Sequence, residues 1–591
     1  MSNIELFQQL LEKNFIDAYI VFTQDFHKSE YVSDYFKGRE FLSGFTGSAG
    51  TLLVLKNKAY LWTDGRYFIQ AANQIDSNFI TLMKMGEEKT PTLIEFLNST
   101  LKDGNVLAFD SRCASTDFVL DLQSKMTSHI EYITDIDLLN DIWNDRPSLP
   151  FSTLYKLDPF FAGETYLNKL SKIKAKMKAY NANIHIISSL EDQAWLFNLR
   201  GLDVAHTPVF LAYTVILEDE VTLFVDQNKL DILVTNYLNE NDITVRNYDD
   251  FYNFLKTIKE KNILLDFSRA NYKIYSSLVD QNNLINKENP TILLKAIKNE
   301  TEIENIKNAH IKDGVSMVKF MKYLKENYKK IELSEISVSD YLESLRKTND
   351  GFIDLSFNTI CGFKEHAAMM HYSANEKTNY NIDTDGMLLV DSGGHYLEGT
   401  TDITRTFAMG NISNEEKKHF TIVLKSVINL ARAVFLKGST GLNLDVLARA
   451  PIWNELIDYK CGTGHGVGYL LSVHEGPQSF RWKNNTTREP QELEPGMVIT
   501  DEPGIYLENK YGIRTENELL VIPKAKNEFG EFYTFETITY CPIDLDCIDV
   551  TYLTKDEIDW LNNYHKTVFN LLSPYLNDEE VEWLSTYTRK I

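Results

Sequence analysis

Two acidic hairpins and a histidine set among glycines carry the strongest chemical signature in this sequence. Leu388-Leu-Val-Asp391-Ser-Gly-Gly-His-Tyr-Leu-Glu-Gly399-Thr-Thr-Asp402-Ile-Thr-Arg-Thr406 reads as a strand, a glycine-bearing turn and a second strand. A turn centred between Tyr396 and Leu397 sets Asp391 opposite Asp402 on one sheet face, with Cβ atoms about 5 Å apart. Carboxylates that close repel unless protonated or bridged by a cation, whereas an intervening bulge would separate them. The pattern recurs in Met497-Val-Ile-Thr-Asp-Glu502-Pro-Gly-Ile-Tyr followed by Gly512-Ile-Arg-Thr-Glu516-Asn, where a turn centred on Asn509 opposes Glu502 and Glu516. Between the hairpins lies Cys461-Gly-Thr-Gly-His465-Gly-Val-Gly468, whose missing side chains let another group approach His465 closely. Four carboxylates and an imidazole suit two divalent ions: hard oxygen ligands favour manganese, and the histidine also tolerates zinc or cobalt. Ions about 3.5–4 Å apart would acidify a shared water and polarise a carbonyl, which is hydrolytic chemistry.

The elements that must hold these residues form the last part of a long chain. Its 591 residues, 43% hydrophobic and 24% charged, describe a globular protein with room for several cores. Strand-like Ala18–Phe22 and Thr51–Leu55 alternate with helix-like Ile4 to Lys13 in an α/β unit that closes near 145. Residues 146–166, with Pro147, Pro150 and Pro159, read as a linker. A helical run from Lys169 to Tyr180, a strand at Ile184–Ile187 and the segment from Trp195 to Gly201 then repeat the order of the first unit, as in a duplication. A third unit opens at Asn299 with a helix presenting Ile303, Ile306, Met317, Phe320, Met321 and Leu324. A helix after Asn414 carries Phe420, Val423, Leu424, Val427, Leu430, Ala431 and Val434. Thr554-Lys-Asp-Glu557 caps a C-terminal helix containing Trp560.

A net charge of −24 argues against nucleic acid or an anionic membrane as the main partner. Five scattered cysteines fit a reducing compartment rather than a disulfide framework. The residues from Met1 to Glu5 lack the basic-then-apolar order of a signal peptide, and no run is long enough to span a bilayer, so a cytoplasmic location is expected.

The ordered motifs resemble the cytosolic, long-form aminopeptidases P, or Xaa-Pro aminopeptidases, of the pita-bread metallopeptidase family. The resemblance runs through Glu30-Tyr31, Ser43 to Gly50, Trp62 to Phe68, Ile382 to Thr406, Gly462 to Pro477, Thr500 to Gly504, Gly512 to Asn517 and Trp560 to His565. It implies an α/β (α+β) fold. Two creatinase-like N-terminal domains at 1–145 and 160–298 would be followed by a pita-bread catalytic domain at 299–525 and a C-terminal helical extension at 526–591. It further implies that Asp391 chelates one ion, that Asp402 and Glu516 bridge both, and that His465 and Glu502 complete the other. A metal-bridging hydroxide would attack the scissile carbonyl while Glu502 relays the proton. His371 and His474 match histidines that contact substrate and stabilise the oxyanion, and Arg66 matches an arginine that reaches it. Arg514, two residues before Glu516, shares its strand face and would orient a metal-bound carboxylate. Cys461 stands where relatives often have histidine, at the expected proline-side pocket wall; without a partner base it is not expected to be a nucleophile.

The implied reaction is release of the N-terminal residue from short peptides with proline in second position, by a homodimer with Trp453 as a candidate contact. A prolidase acting on Xaa-Pro dipeptides is the alternative enzyme, disfavoured by the long tandem N-terminal region, and a methionine aminopeptidase is more remote. A peptide- or histone-binding pseudoenzyme is the alternative of another class, disfavoured because all five ligand types are present.

Overall fold

The computed structural model describes residues 2–484 and 488–591; Met1, where the N-terminal reading begins, lies outside them. The chain divides into two units, Met1–Asp158 with Glu164–Ile292 and Pro159–Gly163 with Leu293–Ile591.

The N-terminal unit opens with helix α1 (Asn3–Lys13), started by a capping box in which Ser2 and Glu5 satisfy each other's backbone N–H groups. The apolar runs then form β1 (Ala18–Phe22) and β2 (Thr51–Leu55), as their residue types require. With β3 (Ala59–Thr63), β4 (Ile80–Lys84), β5 (Val106–Phe109) and β6 (Glu131–Ile133) they make a sheet of order β4-β3-β2-β1-β5-β6. Helix α2 (Tyr166–Ala179) leads into a second set: β7 (Ile184–Ile187), β8 (Ala212–Ile216), β9 (Val221–Val225), β10 (Ile243–Arg246), β11 (Asn262–Leu265) and β12 (Asn283–Asn286). Their order, β10-β9-β8-β7-β11-β12, is that of the first sheet strand for strand. In both, the first strand pairs antiparallel with the second and parallel with the fifth. The duplication read from the order of segments is therefore present in the topology. The Asn271 side-chain amide, which donates to the Phe26 carbonyl at 2.7 Å, helps join the two sheets' layers.

The expected linker at 146–166 is only partly irregular. Tyr155–Lys156 pairs with Leu199–Arg200, and Pro159–Ala162 forms a short helix beginning with proline, whose missing N–H costs nothing there.

In the C-terminal unit, α3 (Glu300–Asn327) starts at the Asn299 cap and buries Ile306, Met317, Phe320, Met321 and Leu324, with Ile303 half-buried. It is followed by α4 (Glu335–Arg346), β13 (Ile360–Phe363), β14 (Gly386–Ser392), β15 (Ile403–Met409), α5 (Asn414–Ala431), β16 (Val434–Leu436) and α6 (Gly441–Trp453). Val434 departs from its expected place on the α5 face: the helix ends at Ala431, and Val434, 55% exposed, opens β16 instead. Then come β17 (Val498–Asp501), β18 (Gly504–Leu507), β19 (Tyr511–Arg514), β20 (Asn517–Asn527), β21 (Gly530–Thr537), α7 (Lys555–Leu572) and α8 (Asp578–Tyr587). β13-β14-β15 is a three-stranded sheet and β16-β21-β20-β17 a four-stranded one; Phe352–Leu355, Gly394–Tyr396 and Gly399–Thr400 make a second three-stranded sheet, and β18-β19 is a separate hairpin. α7 begins at the expected Thr554/Glu557 capping box. Among the described residues no helix is long and apolar enough to cross a membrane.

Candidate active site

The first acidic hairpin is real, but its register differs from expectation by two residues. β14 and β15 pair Asp391 with Thr404 and Ser392 with Ile403, and the inner residues pair Tyr396 with Gly399. The turn is therefore Leu397–Glu398, one position later than expected. Gly399 follows it at φ +146°, a conformation open to glycine and strained for other residues. Asp402 is not directly opposite Asp391 but lies just past the end of the ladder. A shift of two preserves side-chain parity, so both carboxylates still point to one face as diagonal neighbours.

The second hairpin has the expected register. Asp501 pairs with Asn517 and Gly504 with Arg514, which brackets Glu502 against Glu516 in the gap between two short ladders. In that gap their backbone N–H groups bond elsewhere: Glu502 donates to the Thr463 carbonyl at 2.8 Å and Glu516 to the Thr404 carbonyl at 3.1 Å. The Thr404 hydroxyl donates to Glu516 Oε2 at 2.8 Å. These bonds tie the two hairpins and the histidine loop together.

His465 occupies a strand fragment between Gly464 and Gly466, and the close approaches are made by backbone carbonyls. A Cβ on Gly464 would lie 1.8 Å from the Thr500 oxygen, and one on Gly466 would lie 2.1 Å from that of Glu475. Nδ1 bonds the Gly466 carbonyl at 3.0 Å, so it carries the hydrogen, and Nε2 is presented to Asp402 Oδ2 at 3.5 Å and Glu502 Oε1 at 3.4 Å. Asp402, His465 and Glu516 each offer a donor atom within 4.8 Å of the others. Burial, then the negative charge of neighbours including Asp391 and Glu502, pushes the carboxyls of Asp402 and Glu516 well above the usual range. Asp391 Oδ1 is buried without a hydrogen-bond partner, while Oδ2 accepts from Arg514 at 2.5 Å. Converging carboxylates, an orphaned buried oxygen and an imidazole nitrogen turned toward them form a donor set that fits hard divalent cations.

Arg514 faces this cluster as strand parity requires. Besides Asp391, it donates to the Thr404 hydroxyl at 3.1 Å, the Tyr506 hydroxyl at 2.7 Å and the Met370 carbonyl at 3.4 Å. The Met370 contact brings the chain next to His371 up to the site. His474 lies edge-on to His465, with ring centroids 4.4 Å apart. Burial and then the charge of Glu502 push the Cys461 thiol up to about 12, which keeps it protonated at neutral pH. Arg66 belongs to the N-terminal unit, where it pairs bidentately with Asp64 at 2.9 and 2.8 Å.

Two participants escaped sequence reasoning. Thr404 is the direct partner of Asp391, and Glu518, on the same strand face as Glu516, accepts the Asp402 N–H at 2.8 Å. The alternation that singled out Arg514 extends equally to Glu518.

Residues 3–142 and 145–302 match models of the creatinase/prolidase N-terminal domain, residues 304–523 match metallopeptidase family M24, and residues 531–591 match the C-terminal region of that peptidase family. Aminopeptidase P1 of Arabidopsis thaliana is 36% identical over 95% of this chain and 94% of its own length. Xaa-Pro aminopeptidase 1 of Dictyostelium discoideum is 36% identical over 97% and 93%. The structure of X-prolyl aminopeptidase from Caenorhabditis elegans, described as a cytosolic enzyme with a di-nuclear active site, superposes with a TM-score of 0.92 at 33% identity, covering 98% of this chain and 95% of that one. Prolidase from Pyrococcus horikoshii, 25% identical with a TM-score of 0.50, is matched over 99% of its length but covers 64% of this chain. The chain belongs to metallopeptidase family M24 and, within it, to the aminopeptidases P.

Proposed function

We propose that this chain is a dinuclear, metal-dependent exopeptidase that releases the N-terminal residue from peptides with proline in second position. The cluster of Asp402, His465 and Glu516, with Asp391 and Glu502 beside it, carries the reading. The di-nuclear site of the C. elegans neighbour and the names of the relatives support the ion count and the proline preference.

In this reading Asp391, Asp402, His465, Glu502 and Glu516 would hold the two ions, with manganese favoured by the carboxylate-rich donors. Bound ions of this kind lower the pKa of a shared water and polarise the scissile carbonyl. Arg514 holds Asp391 in its ligating orientation through the 2.5 Å bond. Glu502, fixed by its backbone bond to Thr463 and by the Thr500 hydroxyl at 3.3 Å, takes up a proton on its carboxylate and passes it toward the leaving nitrogen. His371 and His474 donate to the developing oxyanion. Cys461 lines the pocket for proline.

We further read the chain as a cytoplasmic homodimer using Trp453, with domains at 1–145, 160–298, 299–525 and 526–591. Five free thiols and the cytosolic description of the neighbour are in keeping with that location. The limited share of this chain spanned by the prolidase disfavours the dipeptidase reading.

Hydrolysis of Xaa-Pro, Xaa-Pro-Yaa and Xaa-Ala-Yaa by chelated and manganese-restored protein tests class and specificity together. Manganese-dependent cleavage confined to Xaa-Pro-Yaa, or strongly favouring it, is expected; preference for the dipeptide would select the prolidase, and no cleavage would select the pseudoenzyme.

A further inference from the structure

Glu335 is a fully buried carboxylate with no part in the chemistry above, and four donors from one segment converge on it. It is the first residue of α4, where the helix dipole favours negative charge. Oε1 accepts the Phe363 N–H at 2.8 Å and His366 Nδ1 at 2.9 Å; Oε2 accepts the Tyr372 hydroxyl and the Tyr380 N–H, each at 2.9 Å. The His366 ring is stacked on Tyr380 at 3.7 Å. All four donors lie within residues 363–380, the stretch that contains His371.

That stretch is also pinned from its other side. A Cβ on Gly512 would lie 1.8 Å from the Ala367 oxygen, so the loop sits directly on β19. His371 is bracketed: Met370 before it accepts from Arg514, and Tyr372 after it donates to Glu335. Arg514 in turn holds Asp391.

We propose that Glu335 is the positioning residue for His371: its carboxylate gathers the 363–380 loop and fixes the histidine at the height of the reacting centre. The proposal rests on the oxyanion role given to His371 above. Only a carboxylate can fill the place of Glu335, because each of its oxygens faces a backbone N–H, that of Phe363 or that of Tyr380, and an amide nitrogen would face one of them.

The test is a double-mutant cycle of Glu335→Gln and His371→Ala, assayed on an Xaa-Pro-Yaa peptide with metal content and melting temperature measured on each sample. Glu335→Gln should lower kcat by about ten- to a hundredfold, the range of lost outer-shell support, with metal content unchanged and KM little altered. Combined with His371→Ala it should cost nothing further, since the group it positions is gone. Tyr372→Phe, which removes one donor and keeps the ring, covers the case in which Glu335→Gln does not fold. It should give a smaller loss, again absent in the His371→Ala background.

Turnover within about twofold of the parent in either variant, or losses that multiply in the double variant, would overturn the proposal. Full turnover by His371→Ala would refute the reading of His371 itself and the proposal with it, whereas an impaired His371→Ala beside an unimpaired Glu335→Gln refutes the proposal alone.

Discussion

Glu518 Oε1 accepts the backbone N–H of Asp402 at 2.8 Å, at the point where the ladder carrying Asp402 has run out. Its other oxygen lies 3.1 Å from His310 Nε2, and both side chains are fully buried. A carboxylate thus replaces the missing strand partner and holds a candidate metal ligand from behind. Glu518→Leu should weaken metal binding by about ten- to a hundredfold. Glu518→Gln, which keeps a carbonyl acceptor there, should stay within about threefold of the parent. Metal titration followed by calorimetry separates the two; equal affinities would show that Asp402 needs no such support.

The reach of sequence reasoning follows the distance of each partner along the chain. The second hairpin was legible to the residue, since Glu502 and Glu516 flank a short polar turn whose centre sets the register. The first reads two residues out of register because two turn centres are nearly equivalent in Tyr396-Leu-Glu-Gly399. Only the φ of Gly399 decides between them. Side-chain parity survives such a slip, so the pattern points to the carboxylate cluster in either register. Glu335 was invisible for another reason: its partners lie 28 to 45 residues away, and no local periodicity marks a buried helix-start carboxylate as a clamp. Val434 shows the limit of helical spacing, which continues in number after the helix has ended.

Metal removal is the broadest check on the site. Chelation should abolish hydrolysis and manganese should restore it. Asp402→Ala should leave one ion or none per chain by elemental analysis. The sign of the pH effect follows from the raised carboxyl pKa values of Asp402 and Glu516: protons compete with metal, so apparent affinity falls as pH falls. Full metal content and activity in Asp402→Ala would exclude the dinuclear assignment.

Glu502→Gln keeps the shape of a ligand and removes the site for the relayed proton. Turnover should fall by about a hundredfold or more, with a smaller change in KM, at matched metal occupancy. Near-parental kcat in fully metal-loaded protein would rule out proton transfer by Glu502.

Acid should destabilise the N-terminal unit through His27. Its Nδ1 bonds the Ser188 carbonyl at 2.8 Å and its Nε2 bonds the Tyr248 hydroxyl at 2.7 Å, an arrangement complete for the neutral ring. Burial lowers its pKa to about 3. The unfolded chain therefore binds the extra proton first, and stability present above about pH 6.5 is lost as pH falls toward 3, with a limiting slope of about 1.4 kcal/mol per unit. Urea unfolding at pH 7 and pH 5, compared with His27→Gln, measures this share; an unchanged pH slope in the variant would assign the effect to other groups.

Cys461 separates a metal-centred mechanism from a covalent one. Its backbone carbonyl accepts from the buried Arg449 at 2.7 Å, so the loop stays in place whatever the side chain. Its thiol, pushed up to about 12 by burial and by Glu502, supplies negligible thiolate at neutral pH. Cys461→Ser should therefore retain hydrolysis within about tenfold, a barrier change of about 1.4 kcal/mol, where loss of a nucleophile would cost several orders of magnitude. Cys461→His should alter KM for proline peptides, since the larger polar ring would project from the proposed proline-side wall, with metal content unchanged. Folded, metal-loaded and inactive Cys461→Ser protein, or a thioester trapped on the parent enzyme, would replace the mechanism with a covalent one.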